Sequence, residues 1–188
     1  MNIFDIAKQN QEKAWQVIKN TNIIQIWEDA GAKINLVGSL RTGLLMKHRD
    51  IDFHIYSSAL NLTDSFQAMA RLAENPSIKR IECANLLHTA EACIEWHAWY
   101  QNEENELWQM DMIHIREGSR YDGYFEKVAQ RISEIMTDEI RETILRLKYE
   151  TPETEKTIGV EYYQAVIRMG CGIIADLRNG ESNILLQE

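Results

Sequence analysis

Apolar positions recur at two different spacings along this chain, and the spacing changes near Gly118. Ile3, Ile6, Ala7, Ala14, Trp15 and Ile18 fall at helical intervals, which predicts an amphipathic helix over 3–19. A second helix is expected from about Thr21 to Gly31, with Gly31 just past its end. Ile34, Leu36 and Val37 begin a strand that stops at Gly38, and residues 50–57 form the next. Thr63 is expected to cap a helix whose Phe66, Met69, Ala70 and Ala73 share one face, with Pro76 beyond its end. A third strand is expected over 78–84. Residues 92–100 and 107–115 read as two longer strands, joined as an antiparallel hairpin by the polar loop 101–106.

After Gly118 the helical interval takes over. Phe125, Val128, Ala129, Ile132, Ile135 and Met136 repeat at it, as do Ile140, Ile144, Leu145 and Leu147. Pro152 lies in a polar connector, and a last helix is expected from about Val160 to Leu177. The pattern predicts an α+β chain. It has a mixed five-stranded sheet with helices on one face, then a C-terminal helical subdomain, with 1–118 as the first unit and 119–188 as the second.

At 188 residues, 45% apolar and 26% charged, the chain suits a globular protein with a full core. No apolar run approaches the roughly 18 residues of a membrane span, and Met1 to Lys13 lack a signal-peptide core. Cys83, Cys93 and Cys171 have no metal-type spacing and read as reduced thiols, so a cytoplasmic protein with no membrane partner is expected. The net charge of −9 argues against a large nucleic-acid interface, which needs a basic footprint. A nucleotide needs only a few local cations.

Candidate chemistry gathers around a short bend and three acids. Val37-Gly38-Ser39 ends the first strand, and Asp50-Ile51-Asp52 opens the second. Side chains at i and i+2 of a strand point to the same face. Asp50 and Asp52 therefore project together, and Ile51, Phe53 and Ile55 project the other way. Two adjacent carboxylates repel, so a cation between them is expected. Mg²⁺ takes hard oxygen ligands, often one or two carboxylates plus substrate phosphates. Asp111 is a third acid, set between Met110 and Met112 in an otherwise apolar strand. Burying it there is costly unless something offsets its charge.

These residues resemble the signature of the nucleotidyltransferase superfamily with a DNA-polymerase-β-like core. The matching positions are Val37, Gly38 and Ser39, ten residues from Leu40 to Arg49, Asp50-Ile51-Asp52, and Asp111 on a later strand. Gly43 completes a Gly-Ser-x-x-x-Gly sub-pattern. The segment His48 to Asp52 also resembles small bacterial enzymes that adenylylate lincosamide or aminoglycoside antibiotics. The resemblance covers about residues 34–115.

The resemblance implies that 1–118 is the catalytic domain. Asp50, Asp52 and Asp111 would be catalytic and would hold Mg²⁺, with Mn²⁺ as the alternative ion. Gly38 and Ser39 would meet the phosphates of ATP or another nucleoside triphosphate, and Arg41, Lys47 and Arg49 would supply nearby cations. The reaction expected is transfer of a nucleoside monophosphate to a hydroxyl of a small acceptor, an antibiotic-like molecule being one such; the net charge, separately, argues against nucleic acid as the partner. The rival readings are an antitoxin or regulator of this fold that modifies or binds a partner protein, a glycosyltransferase using Asp-x-Asp, and a non-catalytic binding module. Oligomeric state is not legible. His54, His97 and Glu95 share the acids' side of the sheet by parity but read more simply as structural or surface groups. Tyr162, Tyr163 and the tryptophans read as packing.

Overall fold

The computed structural model describes residues 2–152, 154 and 157–169. In chain order the elements are α1 (Ile3–Thr21), α2 (Ile23–Asp29), β1 (Lys33–Leu36), α3 (Gly38–Arg41), β2 (Asp50–Ser57), α4 (Leu62–Ala73), β3 (Ile78–Asn85), β4 (Cys93–Gln101), β5 (Leu107–Arg116), α5 (Tyr124–Ile135), α6 (Asp138–Glu150) and α7 (Gly159–Met169). The part of the last predicted helix beyond Met169 lies outside the described residues, as does Cys171. Among the described residues, no helix is long and apolar enough to cross a membrane.

The sheet order is β1-β2-β5-β4-β3. β2 and β5 run parallel, and the other neighbours are antiparallel, so the sheet is mixed. The β4–β5 pair is the expected hairpin. Alternation sorts the strands cleanly. Ile51, Phe53 and Ile55 of β2, Ile94, Trp96, Ala98 and Tyr100 of β4, and Trp108, Met110 and Met112 of β5 form one buried face. Ile18 of α1, Trp27 of α2 and Ala68, Met69 and Leu72 of α4 cover it. The other face carries Asp50 and Asp52, Gln109 and Asp111, and His97 and Trp99, all only partly buried.

A second core joins the N-terminal end of α1 to the helical third. Ala7, Leu44 and Met46 pack there with Ile144, Leu145 and Leu147 of α6 and Tyr162 and Ala165 of α7. α1 is about 28 Å long at 1.5 Å per residue, enough to serve both cores. α5 crosses to the acids' face of the sheet at its β1–β2 end. There Glu126 accepts from Tyr56 Oη (3.0 Å) and Asn35 Nδ2 (2.8 Å), and Phe125 stands edge-on to His54 at 4.7 Å.

α4 differs from its expected start and face. Asn61, rather than Thr63, is the cap, its side chain accepting from Thr63 N at 2.8 Å. Phe66 is 49% exposed, while Ser65 is fully buried. The reason is a tertiary polar anchor. Ser65 Oγ takes the Trp96 indole N–H at 2.8 Å and lies 3.1 Å from His114 Nδ1, which turns Ser65, Ala68, Met69 and Leu72 inward.

Candidate active site

The site is built on the two parallel strands at the centre of the sheet. Their register sets Asp52 opposite Asp111 and Asp50 opposite Gln109. Strand parity then puts all three acids on the open face, so the structure brings the predicted trio together. Among the described residues, no group of three or more His, Cys, Asp or Glu side chains, the three acids included, is placed so that it could hold a metal ion by itself.

The electrostatics show what the acids lack. Burial pushes the Asp52 carboxyl up to about 7, and the Asp50 and Asp111 carboxylates push the same way. The Lys148 ammonium and the Ser39 backbone N–H oppose the rise. Asp50 Oδ1 is buried without a hydrogen-bond partner. An orphaned oxygen beside a carboxyl that is hard to ionise fits a divalent ion whose remaining ligands come from a bound phosphate.

Asp111 is held from two sides. Gln109 Nε2 donates to its Oδ1 at 2.7 Å, and His97 Nδ1 lies 2.5 Å from the same oxygen. His97 Nε2 faces Glu95 Oε1 at 3.6 Å. Register decides this contact, because β4 sets His97 directly opposite Asp111. Against the expectation of a structural or surface role, His97 lies at Asp111, and Glu95 faces His97 from its other side.

Gly38 has a role the motif alone did not reveal. It opens α3, a single helical turn, with φ of +66°. A Cβ there would fall 1.9 Å from Asp52 Oδ2, and Val37 N donates to Asp52 O at 2.9 Å. The missing side chain thus makes room for the Asp52 carboxylate. Gly38→Ala is expected to destabilise the protein by about 1–3 kcal/mol, from left-handed strain and the collision. Denaturant unfolding checks this; an unchanged midpoint would contradict the geometry.

The predicted cations have prior engagements. Lys47 Nζ donates to the carbonyls of Tyr149 (3.0 Å) and Thr151, tying its loop to the end of α6. Arg49 pairs with Glu106 at 3.0 Å, and Glu106 also meets Lys13. Arg41 is exposed. Ser39 is buried at the start of α3. Gly43, with φ of +71°, offers its carbonyl to Gln11 Nε2 at 3.2 Å. His54 shares the acids' parity but lies buried under Phe125.

The cation that serves the acids is Lys148, which sequence reasoning missed. It is 5% exposed, and its Nζ donates to Leu44 O at 2.9 Å. Burial lowers it to about 8 against the raising pull of Asp50 and Asp52. The signal was present: Lys148 continues the Ile140–Ile144 stripe at intervals of four, where an apolar residue is expected. Tyr163 of α7 is buried near the same acids, and burial pushes its phenol up to about 12, with Asp52 and Asp50 adding to the rise.

No protein-family model matches the sequence, and no curated protein matches it. Solved structures do match. One is the Cid1 poly(U) polymerase with MgGTP bound, at TM-score 0.61 and 13% identity, covering 87% of this chain and 53% of that one. Another is Cid1 described by its RNA terminal uridylyl transferase activity, at TM-score 0.61 and 12% identity, covering 88% and 49%. The chain has a nucleotidyltransferase-type fold. A third structure of this fold, the GLD-2/RNP-8 complex, matches at TM-score 0.59 and 10% identity and covers 99% of this chain and 77% of its own. The chain thus spans about half the length of the two Cid1 structures.

These matches correct one expectation. A small hydroxylated acceptor, with nucleic acid excluded, does not follow from this fold, whose solved members include a poly(U) polymerase and an RNA terminal uridylyl transferase. The physical error was to use the net charge of −9 as a test. A summed charge describes the whole surface, whereas a chain end meets only a few side chains. Lys47, His48 and Arg49 line one groove beside the acids. The subgroup of antibiotic-modifying enzymes likewise gains no support from these neighbours.

Proposed function

We propose that this chain is a Mg²⁺-dependent nucleotidyltransferase that moves a nucleoside monophosphate from a nucleoside triphosphate to a terminal hydroxyl of RNA. The observation that carries this reading is the Asp52–Asp111 register pair on parallel strands, with Asp50 beside it and the Gly38-Ser39 turn packed onto Asp52. Asp50, Asp52 and Asp111 would hold the ion, which when bound neutralises phosphate charge and stabilises the leaving pyrophosphate. Lys148 would lie on the phosphate side as a buried positive charge at neutral pH. Asp111, held by His97 and Gln109, would orient or accept the proton of the attacking hydroxyl.

The helical third, 119–188, would form the other wall of the cleft, a role supported by the approach of Lys148 and Tyr163 to the acids. ATP is the donor implied by the family resemblance. The Cid1 structures hold MgGTP, a UTP analogue or MgATP, so all four triphosphates belong in the test.

The test incubates the protein with Mg²⁺, each α-labelled triphosphate and an RNA oligonucleotide bearing a free 3′-hydroxyl. Label on a lengthened RNA is the expected result. Label on protein, or none on RNA with any donor, would overturn the acceptor assignment.

A further inference from the structure

A single register row crosses four strands on the open face. Asp50 of β2 stands opposite Gln109 of β5, Gln109 opposite Trp99 of β4, and Trp99 opposite Arg80 of β3. At about 4.8 Å per strand, Trp99 lies roughly 10 Å from Asp50 along the row. Gln109 and Trp99, the middle of this row, line a groove of about 360 Å³ together with Lys47, His48, Arg49 and Leu107.

Three properties of this groove point to one occupant. Its chemistry combines a large aromatic ring with two cations, Lys47 and Arg49, whose present partners are the Tyr149 and Thr151 carbonyls and Glu106 and from which a phosphate would have to draw them. Trp99 is only partly buried, and Leu107, beside it in the lining, is 49% exposed, so both offer apolar surface to a planar group. The Arg80 guanidinium lies over the Trp99 ring at 4.6 Å, a planar group that a base stacked on that face would displace. Finally, Gln109 belongs both to the groove and to the site, since its Nε2 holds Asp111. A molecule seated in the groove reaches the reacting centre without leaving the sheet.

We propose that this groove seats a base at the 3′ end of a single-stranded RNA acceptor, stacked on Trp99, with its backbone phosphates facing Lys47 and Arg49. The inference rests on the nucleotidyl-transfer reading and names the acceptor subsite of that same site. Stacking suits the task because every base has a π-face, so ends of any sequence are held. Phosphate would exchange with the present partners of Lys47 and Arg49, giving contacts that the acidic surface elsewhere does not. Register gives direction: the base sits over β4, and the terminal hydroxyl points back along the row toward Asp111 and Asp50.

Trp99→Ala tests this, with Trp99→Phe as the conservative rescue and Trp15→Ala as a remote control, Trp15 being 49% exposed on α1. Binding of a fluorescently labelled oligouridylate is read by anisotropy without any triphosphate. Trp99→Ala is expected to weaken it by roughly 5- to 150-fold, the measured range for removing one stacking partner, and Trp99→Phe to recover most of the loss. In turnover, the acceptor KM rises by a similar factor and the triphosphate KM stays unchanged. An unchanged melting temperature separates this from unfolding. Equal affinity of Trp99→Ala and wild type, equal loss in Trp15→Ala, or no oligouridylate binding by wild type would each overturn the assignment. Wild-type binding that depends on Trp99 but yields no extension would support the groove and refute the transfer reading instead.

Discussion

Asp52→Asn is expected to abolish nucleotidyl transfer while making the metal-free protein more stable. The two effects share one cause. Burial and the charges of Asp50 and Asp111 hold the Asp52 carboxyl at about 7, far above its ordinary 3.8. The folded state therefore binds a proton more tightly than the unfolded chain does. Without metal, wild-type stability is full near pH 4 and falls as pH rises toward about 7, because deprotonation is easier once the chain unfolds. The loss is on the order of 2–4 kcal/mol. Asparagine carries no charge, so the variant lacks this decline and keeps an oxygen for the Ser39 N–H. At neutral pH in chelator its melting temperature rises, by roughly 2–4 °C per kcal/mol recovered. Transfer falls by about 10³-fold or more, the scale of several kcal/mol of charge stabilisation from a bound ion. Thermal melts across pH 4–8 and the labelled-RNA assay read the two effects. A variant with wild-type turnover would end the metal assignment, and one with an unchanged stability profile would end the electrostatic account.

Lys148→Met is expected to be costly in both respects. It leaves the Leu44 carbonyl without its donor, a loss of about 1–3 kcal/mol. It also removes the charge that holds Asp52 down, so the carboxyl rises further. Triphosphate affinity is expected to fall tenfold or more, about 1.4 kcal/mol, since a buried cation interacts strongly with an anion. The pH profile separates charge from packing. Burial has lowered Lys148 to about 8, so wild-type kcat/KM for the triphosphate declines as pH rises through about 8 and the ammonium is lost. Lys148→Met, already uncharged, lacks that alkaline decline. Calorimetric titration with Mg-triphosphate and the kcat/KM profile check it. A persistent alkaline limb in the variant would assign the titration to another group.

The order of strands and helices was largely legible because alternation and helical spacing are local signals. β2 matched its expected range, Asp50–Ser57, and the hairpin of β4 and β5 formed as the pattern implied. The shared direction of Asp50 and Asp52 also follows from local geometry. Three features were not legible. The buried face of α4 depends on Ser65 meeting Trp96 and His114, which are distant in sequence. The use of Gly38 depends on how closely Asp52 approaches it. The acceptor class was misjudged because composition reports total charge and not its placement.

By itself, then, the amino-acid order determined which segments become strands and helices, and that two of the acids project together. Periodicity dictates both, since each residue's direction is set by its nearest neighbours along the backbone. Only the tertiary structure decided that β5 lies beside β2, that Asp111 and His97 meet across a strand boundary, and that Lys148 turns inward to face the acids. Those contacts join positions as much as a hundred residues apart, and register and burial are collective properties of the packed sheet and helices.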